Sequence, residues 1–167
     1  MSEMREAILD AAEERIRRAG YSGFSFREIA TDVGVKSSSV HYHFPAKEKL
    51  AAAVARRYTD RFLQAVDAQL ESGQDIVRAW RQVFRDAVTR DDRMCLCGAM
   101  GATSHDLPGE VRDEVKRFFL LGIERLIGGG LQRDAAIQVL ATLEGAMLTA
   151  NALGDSSMFE SGTAALA

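Results

Sequence analysis

Proline is nearly absent from this chain, with two in 167 residues, and aromatic residues make up only 7%. Few backbone donors are therefore missing, and the abundant Ala, Leu, Glu and Arg favour helix. No alternating Val/Ile/Thr-rich run bounded by turn residues marks a strand. All-α is the economical fold class. No stretch of 18 residues is apolar throughout, and the N-terminus carries an acidic amphipathic pattern in place of a signal peptide. A soluble, cytoplasmic protein with no membrane partner is expected. Cysteine is as scarce: Cys95 and Cys97 are too close in sequence for a useful staple. Two residues apart on a helix, they point about 200° from each other and cannot chelate one metal together or bridge without unwinding. No metal and no cofactor is expected. His105 and Asp106, adjacent and hence about 100° apart on a helix, lack a nucleophile, a Gly-rich phosphate loop or a second histidine, so the chain reads as no enzyme.

What the chain does have is 47% hydrophobic content, enough for a full core in one or two small domains. The net charge of −3 is unevenly spread. Residues 1–61 hold 11 Lys/Arg against 9 Asp/Glu, and the remainder holds 10 against 15. A slightly basic head on an acidic body fits a nucleic-acid reader, although charge alone does not identify one.

The basic part contains the most informative stretch, Ser25 to Leu50, SFREIATDVGVKSSSVHYHFPAKEKL. Ser25 can cap a helix, Glu28 can close a capping box and Phe24 can staple onto Ile29. Ile29, Ala30 and Val33 recur at helical spacing, and Gly34 suits the left-handed conformation that stops the helix. After the Gly34-Val35 turn, a short second helix directs Val40 and Phe44 inward and Ser38, Ser39 and Tyr42 outward, with His41 and His43 at the borders. Lys36 has no capping oxygen, so Ser37 is the expected cap. Pro45 ends that helix and opens the next. The pattern is a helix-turn-helix leading into a long helix.

The remaining chain reads as further amphipathic helices. Met4, Ile8, Ala11, Ala12, Ile16 and Ala19 form the stripe of a first helix from Ser2 to Ala19, ended by Gly20. Ala46 to about Ser72 is one long helix with Leu50, Val54, Tyr58, Phe62 and Val66 inward. Gln74 to Arg90 is another. Asp91-Asp92 signals the cap of a short, small-residue helix, CLCGAMGATSH. Pro108 opens a helix that Gly128-Gly129-Gly130 ends, and Arg133 to about Leu153 is apolar on more than one face, which calls for neighbours inside and outside its own subunit. Ser156 to Ala167 suggests a short ninth helix.

The Gly-Val turn, the Tyr42-His43-Phe44 ending and the Lys47-Glu48-Lys49-Leu50 opening of the long helix resemble the DNA-binding domain of the TetR family of bacterial transcription regulators; the upstream GYSGFSFREIA fits as well. The resemblance implies an N-terminal three-helix helix-turn-helix domain (1–48) and a C-terminal helical ligand-binding and dimerisation domain (49–167), about nine helices in all. It implies a homodimer, joined in this family by a bundle of the last two helices, a double-stranded operator DNA and a small-molecule inducer. Ser37, Ser38 and Ser39 suit close approach to the major groove, and Ser25 and Arg27 flank it. Tyr42, His43 and Lys47 match positions that meet phosphates in the family. His41 replaces a usual aromatic, and its imidazole predicts operator binding that strengthens as pH falls toward 6. With no arginine on the recognition helix, sequence preference would lean on Arg27, Lys36, the serines and DNA shape.

In the second domain, Trp80, Phe84, Met94, Met100, Phe118, Phe119 and Met147 sit on helices that surround the ligand cavity in the family. Each is also an ordinary core residue by spacing; as a set they imply an apolar or aromatic inducer. Thr103, Ser104, His105, Glu144 and Asn151 are polar candidates there. Cys95 and Cys97 are a buried pair or, alternatively, a sensor of oxidants or electrophiles at a helix N-terminus. A helical carrier with a vestigial helix-turn-helix and a thiol enzyme using Cys95 are the competing classes. Repression and activation both stay open.

Overall fold

The computed structural model describes residues 3–91 and 93–166, the side chain of Asp91 excepted. The expected cap at Asp91-Asp92 and the first residue of the expected first helix, Ser2, lie outside the described residues. Among those described, nine α-helices follow one another: α1 Glu3–Ala19, α2 Phe26–Val33, α3 Ser37–His43, α4 Lys47–Glu71, α5 Ile76–Asp91, α6 Leu96–Gly101, α7 Gly109–Gly128, α8 Arg133–Leu153 and α9 Ser157–Thr163. Short 3-10 turns occupy Tyr21–Gly23, Ser104–Asp106 and Ala164–Leu166. The all-α reading holds, and most helix limits differ from the expected ones by a residue or two; the exceptions are the short helix expected over 95–105, which ends at Gly101, and the ninth, which ends at Thr163, each followed by a 3-10 turn.

The chain forms two compact units: residues up to Tyr58 with Leu96–Lys116, and Thr59–Cys95 with residues from Arg117 on. In the first, α1 buries Ile8, Leu9, Ala12 and Ile16 and packs on α2 and α6. Arg15 of α1 clamps α2, reaching Asp32 at 3.0 Å and Glu28 at 3.1 Å. Arg57 of α4 answers α1, with Glu6, Asp10 and Glu13 at 2.8–2.9 Å. On its other side α4 is tied to α7 by Lys49–Glu110 (3.0 Å) and Arg56–Glu114 (2.9 Å). A helix held by charge-assisted bonds on two flanks has a fixed bearing within this unit.

In the second unit, Asp75 caps α5 by accepting from Val77 N and Arg78 N, both at 3.0 Å. Trp80 and Phe84 of α5 meet Phe62 of α4 and Phe118 of α7 in one aromatic core. Close approach of α9 to α8 depends on Gly162, where an added Cβ would lie 3.1 Å from Ala146 Cβ. Arg81 and Arg85 reach across to Glu160 of α9, and Arg81 Nε donates to Thr163 at 2.8 Å. The short α9 is thus fastened by ion pairs that its sequence did not advertise.

α8 is the one described helix long and apolar enough to cross a membrane by length and composition, with a window hydropathy of 1.2. It buries Ala136, Val139, Leu140, Leu143, Ala146, Met147 and Ala150 inside the unit. Ile137, Leu148 and Leu153 remain outward and exposed. The two-sided apolarity read from the sequence is therefore split between a packed face and an open one.

Candidate functional site

The helix-turn-helix is built by its caps. Ser25 Oγ accepts from Glu28 N at 3.3 Å, the first bond of the expected capping box, and donates to Glu28 Oε2 at 2.8 Å, so the carboxylate closes onto the cap hydroxyl in place of its backbone N–H. Gly34 closes α2 at φ 76°, and Val35 N donates back to Ala30 O at 2.8 Å in a Schellman arrangement. α3 starts at Ser37 with Lys36 in the cap position and no side-chain cap bond. The expected shift of the cap to Ser37 is corrected: the backbone bond from Ser39 N to Lys36 O, 2.9 Å, sets the first turn one residue earlier.

Val40 and Phe44 are buried and fix the orientation of α3. Its opposite side presents Ser38, His41 and Tyr42 to solvent, Tyr42 with 85% exposure. Lys36 is exposed, as are Ser25 at the cap of α2 and Arg27 within it; Ser37, Ser39 and His43 are half-buried. His41 does not stand free: its ring meets Phe26 edge-on, centroids 4.6 Å apart, the contact an aromatic residue there would make. Lys47 Nζ lies 4.5 Å from the Tyr21 ring centroid and 4.6 Å from that of Phe24. Burial pulls its pKa down and Glu28 opposes this. The two rings aim the ammonium at the start of α4, a role the GYSGF segment gave no reason to assign to Tyr21.

The expected ligand residues separate. Trp80, Phe84 and Phe118 are fully buried around Phe62, at centroid distances of 5.2–5.4 Å from its ring. Phe62, by spacing one more residue of the α4 stripe, is the ring shared by all three contacts. The Trp80 indole N–H is buried without a hydrogen-bond partner. Phe119 instead lines a cleft of about 210 Å³ with Ile123, Ile137, Leu140, Ala141 and Glu144. Met147 sulfur accepts from Cys95 N at 2.9 Å, and Met100 is buried in α6, in the other unit. Of the polar candidates, Thr103, His105 and Asn151 are exposed and Ser104 is half-buried.

Residues 8–54 match the family described as bacterial regulatory proteins, tetR family. A TetR transcriptional regulator from Legionella pneumophila superposes with a TM-score of 0.89 at 32% identity, over 99% of this chain and 96% of that one. The chain belongs to the TetR family. The HTH-type transcriptional regulator RutR of Escherichia coli is 30% identical over 108 residues, 61% of this chain and 51% of that protein. An HTH-type regulator in the dhlA 5′ region of Xanthobacter autotrophicus is 34% identical over 83 residues, 48% of this chain and 41% of that one. The chain thus matches about half the length, or less, of these curated relatives. TetR-family proteins are transcriptional regulators and not enzymes.

In this TetR-family chain both thiols are fully buried. Cys95 lies against Glu144 of α8, whose carboxyl oxygens are shielded from solvent and make no hydrogen bond of ordinary geometry. Burial pushes the Glu144 pKa up to about 7, with the Cys95 thiol acting in the opposite direction. Among the described residues, no group of three or more His, Cys, Asp or Glu side chains is placed to hold a metal ion.

Proposed function

We propose that the chain is a one-component, operator-binding transcriptional regulator, acting as a cytoplasmic homodimeric repressor that a small apolar or aromatic ligand releases from DNA. The observation that carries this is the α3 surface: an outward row of Ser38, His41 and Tyr42 on a helix whose opposite side is anchored by buried Val40 and Phe44. Ser38 and Ser39 suit base edges, and Ser25, Arg27, Lys36, Tyr42, His43 and Lys47 suit phosphates around them. The division of labour falls near residue 48, where α4 begins.

Dimerisation is supported by the open apolar side of α8, where Ile137, Leu148 and Leu153 stand exposed beside Ala141 and Gly145. Signalling is supported by α4. It begins at Lys47 in the DNA-facing surface and carries Phe62 into the aromatic core, about 37 Å of helix from end to end for its 25 residues. Ligand that favours one setting of this helix changes the spacing of two recognition helices, which must match major grooves about 34–36 Å apart. Complete burial of Cys95 and Cys97 favours ligand control over a thiol sensor. Fluorescence anisotropy with DNA from upstream of the gene tests the reading. Salt-dependent, sequence-selective binding by a dimer is expected, and equal affinity for unrelated DNA would refute it.

A further inference from the structure

Large apolar side chains left in solvent are few, and most of them share one surface. Of the six among the described residues, Leu120 and Ile127 stand on α7 and Ile137 and Leu148 on α8, while α9 contributes none. At about 100° per residue, Leu120, Ile123 and Ile127 fall on one side of α7, and Ile137, Ala141, Gly145 and Leu148 on one side of α8. The cleft of about 210 Å³ joins these two sides, with Phe119, Ile123, Ile137 and Ala141 in its walls. Gly145 adds a separate observation. A Cβ built there would meet nothing of its own chain within 4 Å, whereas Gly122 is pressed by Trp80, Gly129 by Ile76 and Gly162 by Ala146. Glycine in the middle of a helix weakens it, and packing inside the subunit gives no reason for this one. Close approach of a helix from outside does.

We propose that a second copy of this chain seats on the joint α7–α8 face, so that α7, and not α9, flanks α8 in the dimer. From Ala135 to Gly154, Glu144 is the single charged residue, and its carboxyl oxygens are shielded from solvent. Two acidic bodies therefore meet where each carries least charge. In a two-fold contact each copy supplies both halves of every pairing. Leu148, 56% exposed, is the projecting side chain, and the cleft beside Ala141, two turns back along α8, is the recess that it fills on the other copy. Area calls for a second helix from each copy. The 21 residues of α8 present a strip of about 32 by 10 Å, roughly 300 Å², against the roughly 800 Å² per partner of a stable interface. On one flank α7 supplies apolar area. On the other, α9 and the turn after it leave Ser157, Ser161, Ala164 and Ala165 exposed, and Arg81 and Arg85 hold Glu160 to its own subunit. The homodimer on which this rests is the one proposed above; α7 takes the place that a bundle of the last two helices would give to α9.

Sedimentation velocity of the full chain over a dilution series tests this with Leu120→Glu and Ile127→Glu on α7 and Ser161→Glu on α9. All three positions are exposed, so each variant is expected to keep the wild-type far-UV spectrum. The two α7 changes are expected to raise the dimer dissociation constant roughly tenfold or more, and Ser161→Glu to leave it within roughly twofold. Leu120→Ser, which removes the apolar chain without adding charge, should raise it by a smaller factor and serves if a glutamate variant folds poorly. Gly145→Leu gives an independent reading, since the separate subunit has room for the side chain and the dimer should weaken as strongly as with the α7 changes. A dissociation constant that the α7 changes leave within roughly twofold, or that Ser161→Glu raises roughly tenfold, overturns the proposal while the homodimer stands. An unchanged constant in Gly145→Leu overturns it as well. A wild-type chain that remains monomeric throughout the series overturns the homodimer reading together with it.

Discussion

Both units tie charged side chains across helices, and the second adds two buried polar groups, the Trp80 N–H and the Glu144 carboxyl, that lack an ordinary hydrogen bond. In the first, charged side chains are tied to one another across helices: Arg15 to Asp32 and Glu28, Arg57 to Glu6, Asp10 and Glu13, Lys49 to Glu110. In the interior of the second, the Trp80 N–H and the Glu144 carboxyl oxygens are enclosed without ordinary partners. A surface that must meet DNA in one register benefits from over-determined geometry. Buried polar atoms without partners cost stability, so such groups persist where they serve something other than the resting fold.

The largest expected effect comes from breaking the second unit's packing. Phe84→Ala removes a fully buried ring from the cluster with Phe62 and Trp80 and should cost about 3–5 kcal/mol, read from the midpoint of urea unfolding. A loss under about 1 kcal/mol would mean that the cluster is loosely packed.

The orphan acid gives a pH-dependent effect of similar size. The folded-state pKa of Glu144, about 7, is raised above the ordinary 4.5 by burial, so its contribution to stability is fully present below about pH 4.5 and is lost as pH rises through 7. A shift of that size corresponds to about 3 kcal/mol in total. Glu144→Gln should therefore gain on wild type between pH 5 and about pH 7 in thermal melts and level off above that. Parallel melting curves across that range would show that the carboxyl is not desolvated.

On the first unit, Lys47→Ala should weaken operator binding roughly tenfold for all sequences alike and lower the salt dependence by about one counterion. If it instead altered selectivity between operators, Lys47 would be reading bases. Ser25→Ala should cost about 1 kcal/mol through loss of both bonds to Glu28, measured by chemical denaturation. The smallest effect belongs to His41→Phe, which keeps the edge contact with Phe26 and should leave stability within about 0.5 kcal/mol.

The helix-turn-helix was legible because its signals are local. The Ser25–Glu28 box, Gly34, and Pro45 act within a few residues, and each settles where a helix begins or ends whatever else surrounds it. The inward positions of Val40 and Phe44 follow from helical period alone. One detail of α3 was not legible: nothing in Lys36 marks it as a cap, and the start of the helix was set by the backbone leaving the Gly34 turn.

By itself, then, the sequence determined the all-α class, the helix-turn-helix and the outward positions of Ser38 and Tyr42, while Ser39, expected outward, is half-buried and His41, expected at the border, is exposed; period and capping are properties of short segments. Tertiary structure alone decided that Tyr21 and Phe24 cradle Lys47, that Phe62 is the ring joining Trp80, Phe84 and Phe118, and that Glu144 meets Cys95 beside an apolar cleft. Each of those pairings joins segments well separated along the chain. Which side chains meet there depends on how the helices cross, and no spacing within either segment carries that information.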